Sequence, residues 1–169
     1  MCSSDLVRGS STDLHSGVFG GALANPAFVL AQLLHQMKDR SGTIKIPGFY
    51  DDVVPLQDAE REAWAKLPFN EKEYRRTFGI PKVHGESGYT TLERTWARPT
   101  FEVNGLLSGF TGEGAKTVLP AVSMAKVSMR LVPNQEPDKI AALFEDYLQK
   151  VAPKTVEVKV TRKIGRAHV

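Results

Sequence analysis

The stretch AVSMAKVSMRL, residues 121–131, alternates between two sets of side chains. One set is wholly apolar: Ala125, Val127, Met129 and Leu131. The other set mixes apolar with polar and charged side chains: Val122, Met124, Lys126, Ser128 and Arg130. Because successive side chains of a strand point to opposite faces of a sheet, this pattern predicts a long β-strand with one buried face.

Two amphipathic helices are predicted, one before this strand in the sequence and one after it. Asn25-Pro26 supplies an N-cap followed by a proline in the first helical turn, apolar residues follow at helical spacing as far as Met37, and Gly42 supplies a stop. Pro137 opens the second helix, whose apolar residues form one stripe. The members of that stripe are Ile140, Leu143, Phe144, Tyr147, Leu148 and Val151.

Several shorter elements complete the predicted order. Strands are expected around His15 and at residues 43–46, 100–107 and 156–160. Residues 49–98 differ in texture, with helix-favouring segments at 58–67, 70–78 and 90–96. Without this helical insertion, the order predicts an α+β fold: a small antiparallel sheet with two main helices on one face, in a ferredoxin-like arrangement.

Composition bounds the class of protein. The chain has 169 residues, of which 41% are hydrophobic and 24% charged, with a net charge of +3. This balance is typical of a globular domain, and the scattered basic residues do not indicate nucleic acid as a partner. No apolar run approaches the ~20 residues of a membrane span. The single cysteine, Cys2, excludes a disulfide framework and a thiolate zinc cluster, and it favours a cytoplasmic location.

Both ends of the chain look foreign to the domain. Residues 1–6 and 164–169 can be encoded by a widely used sequencing adapter read in frame, once in each orientation. We therefore expect the natural domain to span residues 7–163, and we set the two ends aside when predicting the fold. On this interpretation His168 has no function.

Three histidines remain as candidates for chemistry. His35 lies inside the first predicted helix and His84 lies in a loop, so ordinary solvated roles are expected for both. With no HxxxH or HxD pair and no adjacent glutamates, a complete metal site within this chain is not expected. His15 differs because glycines follow it and allow close backbone approach. Asp13 could orient its imidazole, but a local structural role at a strand end is an equally open interpretation.

Two further features invite a binding role. The glycine-rich residues 109–117 do not fit the P-loop pattern, because Ala115 separates Gly114 from Lys116 and a strand is predicted to follow. A nucleotide-binding protein nevertheless remains an alternative to a flexible hairpin. Arg130 lies on the mixed face of the long strand, and its guanidinium could grip a carboxylate with two hydrogen bonds if that face lines a cleft.

Residues 13–21, 112–120 and 128–134 together resemble the lid domain of the carnosine-dipeptidase family. Their sequences are DLHSGVFGG, GEGAKTVLP and SMRLVPN. This family is grouped with aminoacylases and succinyl-diaminopimelate desuccinylase among the dinuclear-zinc exopeptidases. The resemblance spans residues 8–161.

The resemblance implies a lid that caps the active site of a zinc-dependent dipeptidase or amidohydrolase and pairs with a second lid in a homodimer. It implies that His15 stabilises the oxyanion in the partner subunit's site, and that Thr117 and Arg130 hold a dipeptide or N-acyl amino acid. Asn104 is expected nearby. The two zinc ions would belong to a catalytic domain outside this chain, so the chain alone should bind no catalytic zinc and hydrolyse nothing. A purely structural dimerisation module, with a structural His15, remains the rival.

Overall fold

The structure is a computed structural model, and it describes residues 2–163. Six strands and six helices follow one another along these residues. The strands are β1 (Cys2–Arg8), β2 (Leu14–His15), β3 (Thr100–Ser108), β4 (Val118–Leu119), β5 (Val122–Arg130) and β6 (Glu157–Lys163). The helices are α1 (Ser16–Phe19), α2 (Pro26–Met37), α3 (Asp58–Ala65), α4 (Glu71–Phe78), α5 (Thr91–Trp96) and α6 (Pro137–Val151).

Four strands form the main sheet in the order β3-β5-β1-β6, with every neighbouring pair antiparallel. The second sheet is a two-stranded ladder of β2 and β4. Side chains of α2 and α6 share one buried cluster with the same face of the main sheet. The predicted α+β fold, a small antiparallel sheet with two main helices on one face and a helical insertion, is therefore confirmed.

The alternation in β5 decides which face the helices cover. Ala125, Val127 and Met129 are at most 2% exposed, whereas Lys126 and Arg130 on the other face are exposed. Leu33 of α2 and Ile140 of α6 are equally buried above that sheet face. Burial of each such side chain contributes on the order of 1.5–3 kcal/mol, so the sheet and both helices depend on one common core.

Both helix starts follow their sequence signals. The Asn25 side chain accepts a hydrogen bond from the Ala27 N–H at 2.9 Å, and Pro26 occupies the first turn of α2, where its missing N–H has no intrahelical partner to lose. Pro137 opens α6 in the same way. These two predictions are confirmed, including the residue at which each helix begins.

The main sheet contains a strand that we did not predict. β1 begins at Cys2 and so includes residues set aside as foreign to the domain, and it pairs with β5 on one side and β6 on the other. Excluding residues 2–6 from the fold was therefore wrong, although their adapter origin stays a prediction. The strand expected around His15 is only the two-residue β2, in the second sheet. Residues 164–169, including His168, lie outside the described residues.

Residues 43–46 do not form the predicted strand. One isolated bridge links Lys38 to Ile44, and no ladder follows. Ile44 and Ile46 are 3% and 2% exposed, so the alternating pattern reports burial of these two side chains in the core. Burial of alternate side chains gives the same two-residue period as a β-strand, but a β-strand also requires a neighbouring strand with which it can pair.

The insertion at residues 49–98 contains α3, α4 and α5 and is held by charged and aromatic contacts. No residue of α3 or α4 is buried. Arg98 binds both carboxylate oxygens of Glu86, at 2.8 and 2.7 Å, and its guanidinium lies 4.9 Å and 4.5 Å from the ring centroids of Tyr50 and Tyr89. Within residues 2–163, no helix is long and apolar enough to cross a membrane.

Candidate functional site

The small second sheet brings together two residues that lie 102 positions apart in the sequence, His15 and Thr117. Leu14 pairs with Leu119 and His15 with Val118. The Ser16 N–H then donates a hydrogen bond to the Thr117 carbonyl at 2.9 Å. The ladder therefore fixes the backbone on both sides of the two side chains.

Both nitrogens of the His15 ring have hydrogen-bond partners. Nε2 lies 2.9 Å from Thr117 Oγ1, and Nδ1 accepts a hydrogen bond from the Gly17 N–H at 3.1 Å. The side chains of His15 and Thr117 are nevertheless exposed. The pair is thus held in place by its neighbours and remains accessible to a molecule that approaches from outside the domain.

Asp13 does not orient the His15 imidazole, and that prediction was wrong. Its Oδ1 atom accepts a hydrogen bond from the Ala121 N–H at 2.8 Å, and the Gly9 N–H donates to the Ala121 carbonyl at 2.9 Å. A carboxylate two residues before His15 can reach either the ring or the facing backbone, and sequence spacing does not distinguish them. Asp13 instead fastens the segment before His15 to the start of β5.

The glycine-rich residues 109–117 form a connection without a helix. They lead into β4, so the helix N-terminus on which a P-loop places its phosphates does not follow them. Lys116 Nζ lies 4.6 Å from the centroid of the Phe110 ring, a cation–π contact. The local geometry therefore favours a hairpin over a phosphate cradle.

Arg130 lies far from the His15–Thr117 pair. It is the last residue of β5, exposed and opposite Thr100, whereas the pair lies beyond Val122 at the other end of the strand. At ~3.3 Å per residue, β5 separates its two ends by about 26 Å. An extended dipeptide spans only about 7 Å. One bound dipeptide therefore cannot contact both Arg130 and the His15–Thr117 pair of the same chain.

Asn104 lies in the irregular part of β3, where the pairing with β5 shifts register between Val103 and Gly105. Its side chain is exposed, on a strand at the edge of the main sheet. Among the described residues, no hydrogen bond joins it to His15, Thr117 or Arg130. The structure thus does not group Asn104 with either end of β5, and its predicted place near the site stays a prediction.

The other two histidines, His35 in α2 and His84 in the insertion, are exposed and apart from His15. In the part of the chain from residue 2 to 163, no three histidine, cysteine, aspartate or glutamate side chains lie together in a group that could hold a metal ion.

Two features beside His15 were missed in the sequence. Gly17 contributes the backbone N–H that contacts the ring. Val18 and Phe19, in the short helix α1, are 69% and 40% exposed. Two large apolar residues within a glycine-rich stretch, without helical or strand periodicity, were the available signal for an exposed apolar surface next to the histidine.

Comparison with known proteins identifies most of the chain as a domain of a known family. The family described as the peptidase dimerisation domain has a sequence model that matches residues 6–156. The Cys-Gly metallodipeptidase of Candida albicans is 36% identical over 143 residues, which cover 85% of this chain and 30% of that protein. The chain thus spans about a third of the length of this curated relative.

Solved structures agree with the sequence comparison. Human carnosine dipeptidase 1 superposes with a TM-score of 0.87 at 30% identity, covering 97% of this chain and 36% of that one. An M20 family metallo-carboxypeptidase of Sulfolobus solfataricus superposes with a TM-score of 0.80 at 34% identity, covering 94% of this chain and 41% of that one.

Proposed function

The chain belongs to the M20 peptidase dimerisation domain family, and from this membership we propose that it caps the active sites of a dimeric, metal-dependent dipeptidase. In this proposal each copy contributes to two active sites. The His15–Thr117 pair enters the site of the partner subunit, and Arg130 serves the site of its own subunit. The substrate is a dipeptide or an N-acyl amino acid.

The chemistry of the pair supports a role at a developing negative charge. An imidazole N–H and a hydroxyl are hydrogen-bond donors of the kind that stabilise the oxyanion formed when water attacks an amide carbonyl. His15 and Thr117 are exposed and anchored by the β2–β4 ladder, so they can be preorganised before substrate arrives. Such a donor pair can stabilise an oxyanion only if another domain or subunit brings the reacting carbonyl group to it.

The observation that carries the proposal is the separation of Arg130 from His15 along β5. Arg130 suits the free carboxylate at the end of a dipeptide, because its planar guanidinium donates two parallel hydrogen bonds. The length of β5, about 26 Å, keeps it from sharing a dipeptide with the His15 of the same chain. Two subunits related by a two-fold axis resolve this, since each site then receives Arg130 from one chain and His15 from the other.

An exposed apolar surface supports self-association. The end of α2 lies beside β3, since Lys38, which follows the last residue of α2, donates from Nζ to the Phe101 carbonyl at 3.1 Å. Phe28 in the first turn of α2 is 71% exposed, and Val103 and Leu106 of the edge strand β3 are 45% and 62% exposed. Large apolar side chains on an uncapped sheet edge favour an interface, and we propose that this is the dimer surface.

We propose that the metal ions of the enzyme bind to a different domain. The Candida relative is a metallodipeptidase and the Sulfolobus relative a metallo-carboxypeptidase, and we propose two zinc ions in a catalytic domain that these residues do not include. The described residues offer no fitting ligand group. No step of the proposed role therefore requires this chain to touch the metal. A cytoplasmic location stays a prediction from the cysteine content.

Mixing two inactive variants tests the division of roles. In an enzyme that joins this chain to its catalytic domain, and at a dipeptide concentration well below KM, His15→Ala and Arg130→Ala are each expected to keep at most about a tenth of the wild-type rate. After unfolding and refolding together, activity should return to about a quarter of the wild-type value, because half of the dimers are mixed and one site in each is complete.

The refolding experiment also separates the rival functions. No recovery in dimers that are verified as mixed would contradict the cross-subunit role. Full activity of the His15→Ala dimer by itself would support the rival, a purely structural dimerisation module in which the ring only contacts Gly17 and Thr117. For the nucleotide-binding alternative, saturable binding of ATP with magnesium to the isolated chain would be required.

A further inference from the structure

The backbone N–H of Gly17 points at one nitrogen of the His15 ring, and this contact has a chemical consequence. A neutral imidazole carries one proton, on either Nδ1 or Nε2. The Gly17 N–H donates to Nδ1 at 3.1 Å, so Nδ1 must offer its lone pair. The proton then lies on Nε2, because the hydrogen bond at one ring nitrogen selects the state of the other.

The state of Nε2 in turn fixes the Thr117 hydroxyl. Nε2 lies 2.9 Å from Thr117 Oγ1, so a protonated Nε2 donates to that oxygen. The hydroxyl oxygen accepts this bond and keeps its own hydrogen free to donate. The two hydrogen bonds therefore have the same direction: the Gly17 N–H donates to the ring, and the ring donates to the Thr117 hydroxyl oxygen. The hydrogen of the Thr117 hydroxyl remains free to donate.

We propose that Gly17 is a positioning residue that holds His15 in the tautomer with its proton on Nε2, so that the Thr117 hydroxyl hydrogen stays free to donate to whatever binds there. A ligand atom at this pair must therefore be an acceptor, such as a carbonyl oxygen or an oxyanion. Were Nδ1 protonated instead, the bare Nε2 would accept the Thr117 hydrogen and the pair would lose its free donor.

Because Gly17 has no side chain, the His15 ring can lie close to its backbone N–H. A Cβ added at this position would lie 3.0 Å from Cε1 and 3.2 Å from Nδ1 of His15, closer than most such contacts. The ring would have to move, and with it the contact from Nε2 to Thr117. Gly17 does not have a positive φ, so alanine suits its backbone and acts on the ring alone.

Nitrogen NMR of the isolated chain tests the tautomer without any enzyme activity. In the 15N-labelled chain at alkaline pH, Nε2 of His15 is expected at a pyrrole-type shift and Nδ1 at a pyridine-type shift. Gly17→Ala should lower the tautomer ratio about 2- to 10-fold, the range that one hydrogen bond contributes. Gly105→Ala is the matched control, since its Cβ would meet only the Lys126 side chain at 3.6 Å or more.

A second variant identifies which contact selects the tautomer. Thr117→Val removes the partner of Nε2 but leaves the Gly17 N–H, so the proton should stay on Nε2. A proton on Nδ1 in the wild-type chain would overturn the inference, as would a Gly17→Ala spectrum whose His15 nitrogens match those of Gly105→Ala. Loss of the tautomer in Thr117→Val would assign the selection to Thr117 instead.

The consequence for catalysis rests on the function proposed above, but the tautomer does not. If the NMR result holds and the His15→Ala enzyme is fully active, the proposed function fails and the positioning role stands. If the tautomer is absent while His15→Ala is inactive, the reverse applies. In the active enzyme, Gly17→Ala should lower kcat while leaving KM nearly unchanged, because the donor contact strengthens in the transition state.

Discussion

Thr117 and Arg130 are separated by the length of β5: Thr117 precedes the first residue of β5 by five positions, and Arg130 is its last residue. Thr117 contacts His15 at 2.9 Å, while Arg130 lies opposite Thr100 of the edge strand β3. β5 is about 26 Å long and is paired with β3 and β1 on its two sides, so no side-chain rotation brings these two groups together. This separation gives each group a distinct experimental signature, because one acts on the reacting carbonyl and the other on the substrate's carboxylate.

Removing the His15 ring should slow the chemical step. In the complete enzyme, His15→Ala is expected to lower kcat by about 100- to 1000-fold with a small change in KM, as for the loss of one oxyanion donor. Steady-state kinetics on a dipeptide, with dimer content checked by sedimentation, measure this. His84→Ala removes another exposed histidine and should leave both constants unchanged. Equal losses in the two variants would contradict a specific role for His15.

Shortening Arg130 should affect substrates according to their C-terminal group. Arg130→Ala is expected to raise KM for a free dipeptide by about 10- to 100-fold, since a hydrogen bond to a charged group contributes about 1.5–3 kcal/mol. The same variant should treat a C-terminally amidated dipeptide almost as the wild-type enzyme does. Arg130→Lys keeps the charge but not the two-pronged geometry, so it should recover only part of the affinity. An equal KM increase for both substrates would disprove carboxylate binding.

Local sequence signals predicted the start of a helix well where a single residue determines the conformation of its immediate neighbours. Asn25 and Pro26 mark the start of α2 because a cap and a fixed φ are local properties. The pairing of elements is not local. Residues 43–46 have the period of a strand, yet Ile44 and Ile46 are buried without a ladder.

The candidate site was predictable only in part for the same reason. The His15–Thr117 contact joins residues 102 positions apart, and only the resemblance to a family, without any local pattern, pointed to both. Asp13 was assigned to the wrong partner because a carboxylate's reach includes both the ring and the Ala121 N–H. β1 was missed because residues 1–6 were set aside as foreign to the domain, and its inward positions Ser3 and Asp5 give no apolar alternation that would mark a strand.

Charge placed on the proposed dimer surface should separate the subunits. Leu106→Glu on β3 and Phe28→Glu on α2 are each expected to weaken self-association at least about tenfold, since a buried anchor residue contributes about 2 kcal/mol or more. Sedimentation equilibrium of the isolated chain measures this. Phe78→Glu is the matched control, because Phe78 is 63% exposed, close to the 62% of Leu106, but lies in the insertion. A stronger effect of Phe78→Glu would move the interface to residues 49–98.

The last prediction concerns Asp5, a carboxyl group on the buried face of β1. Asp5 is 3% exposed, its Oδ2 accepts a hydrogen bond from Ser3 Oγ at 3.2 Å, and its Oδ1 has no hydrogen-bond partner within residues 2–163. Burial raises the pKa of Asp5 from its ordinary value near 3.8 to about 6, and the hydrogen bond from Ser3 only partly offsets this. Glu145 raises the pKa further by charge repulsion.

A raised pKa gives the dependence of stability on pH a definite sign. The folded chain holds the Asp5 proton more tightly than the unfolded chain, so the stabilising effect is complete below about pH 3.8 and is lost as the pH rises to about 6. The shift corresponds to about 3 kcal/mol. Since Asn cannot ionise, Asp5→Asn should gain stability over the wild-type chain as the pH rises, with little difference at pH 4 and the full effect at pH 7.

Urea unfolding of both chains across this pH range measures the difference. Asp146→Asn, an exposed site on α6, should show no such trend. Asp5→Val should be more stable still at pH 7, because an apolar side chain suits this position against α2 and α6. Such a gain is what a foreign polar residue in a central strand would produce, in line with the predicted adapter origin of residues 1–6. Equal stability of the wild-type and Asp5→Asn chains at pH 7 would instead mean that water reaches this carboxylate and that the β1 face is not sealed.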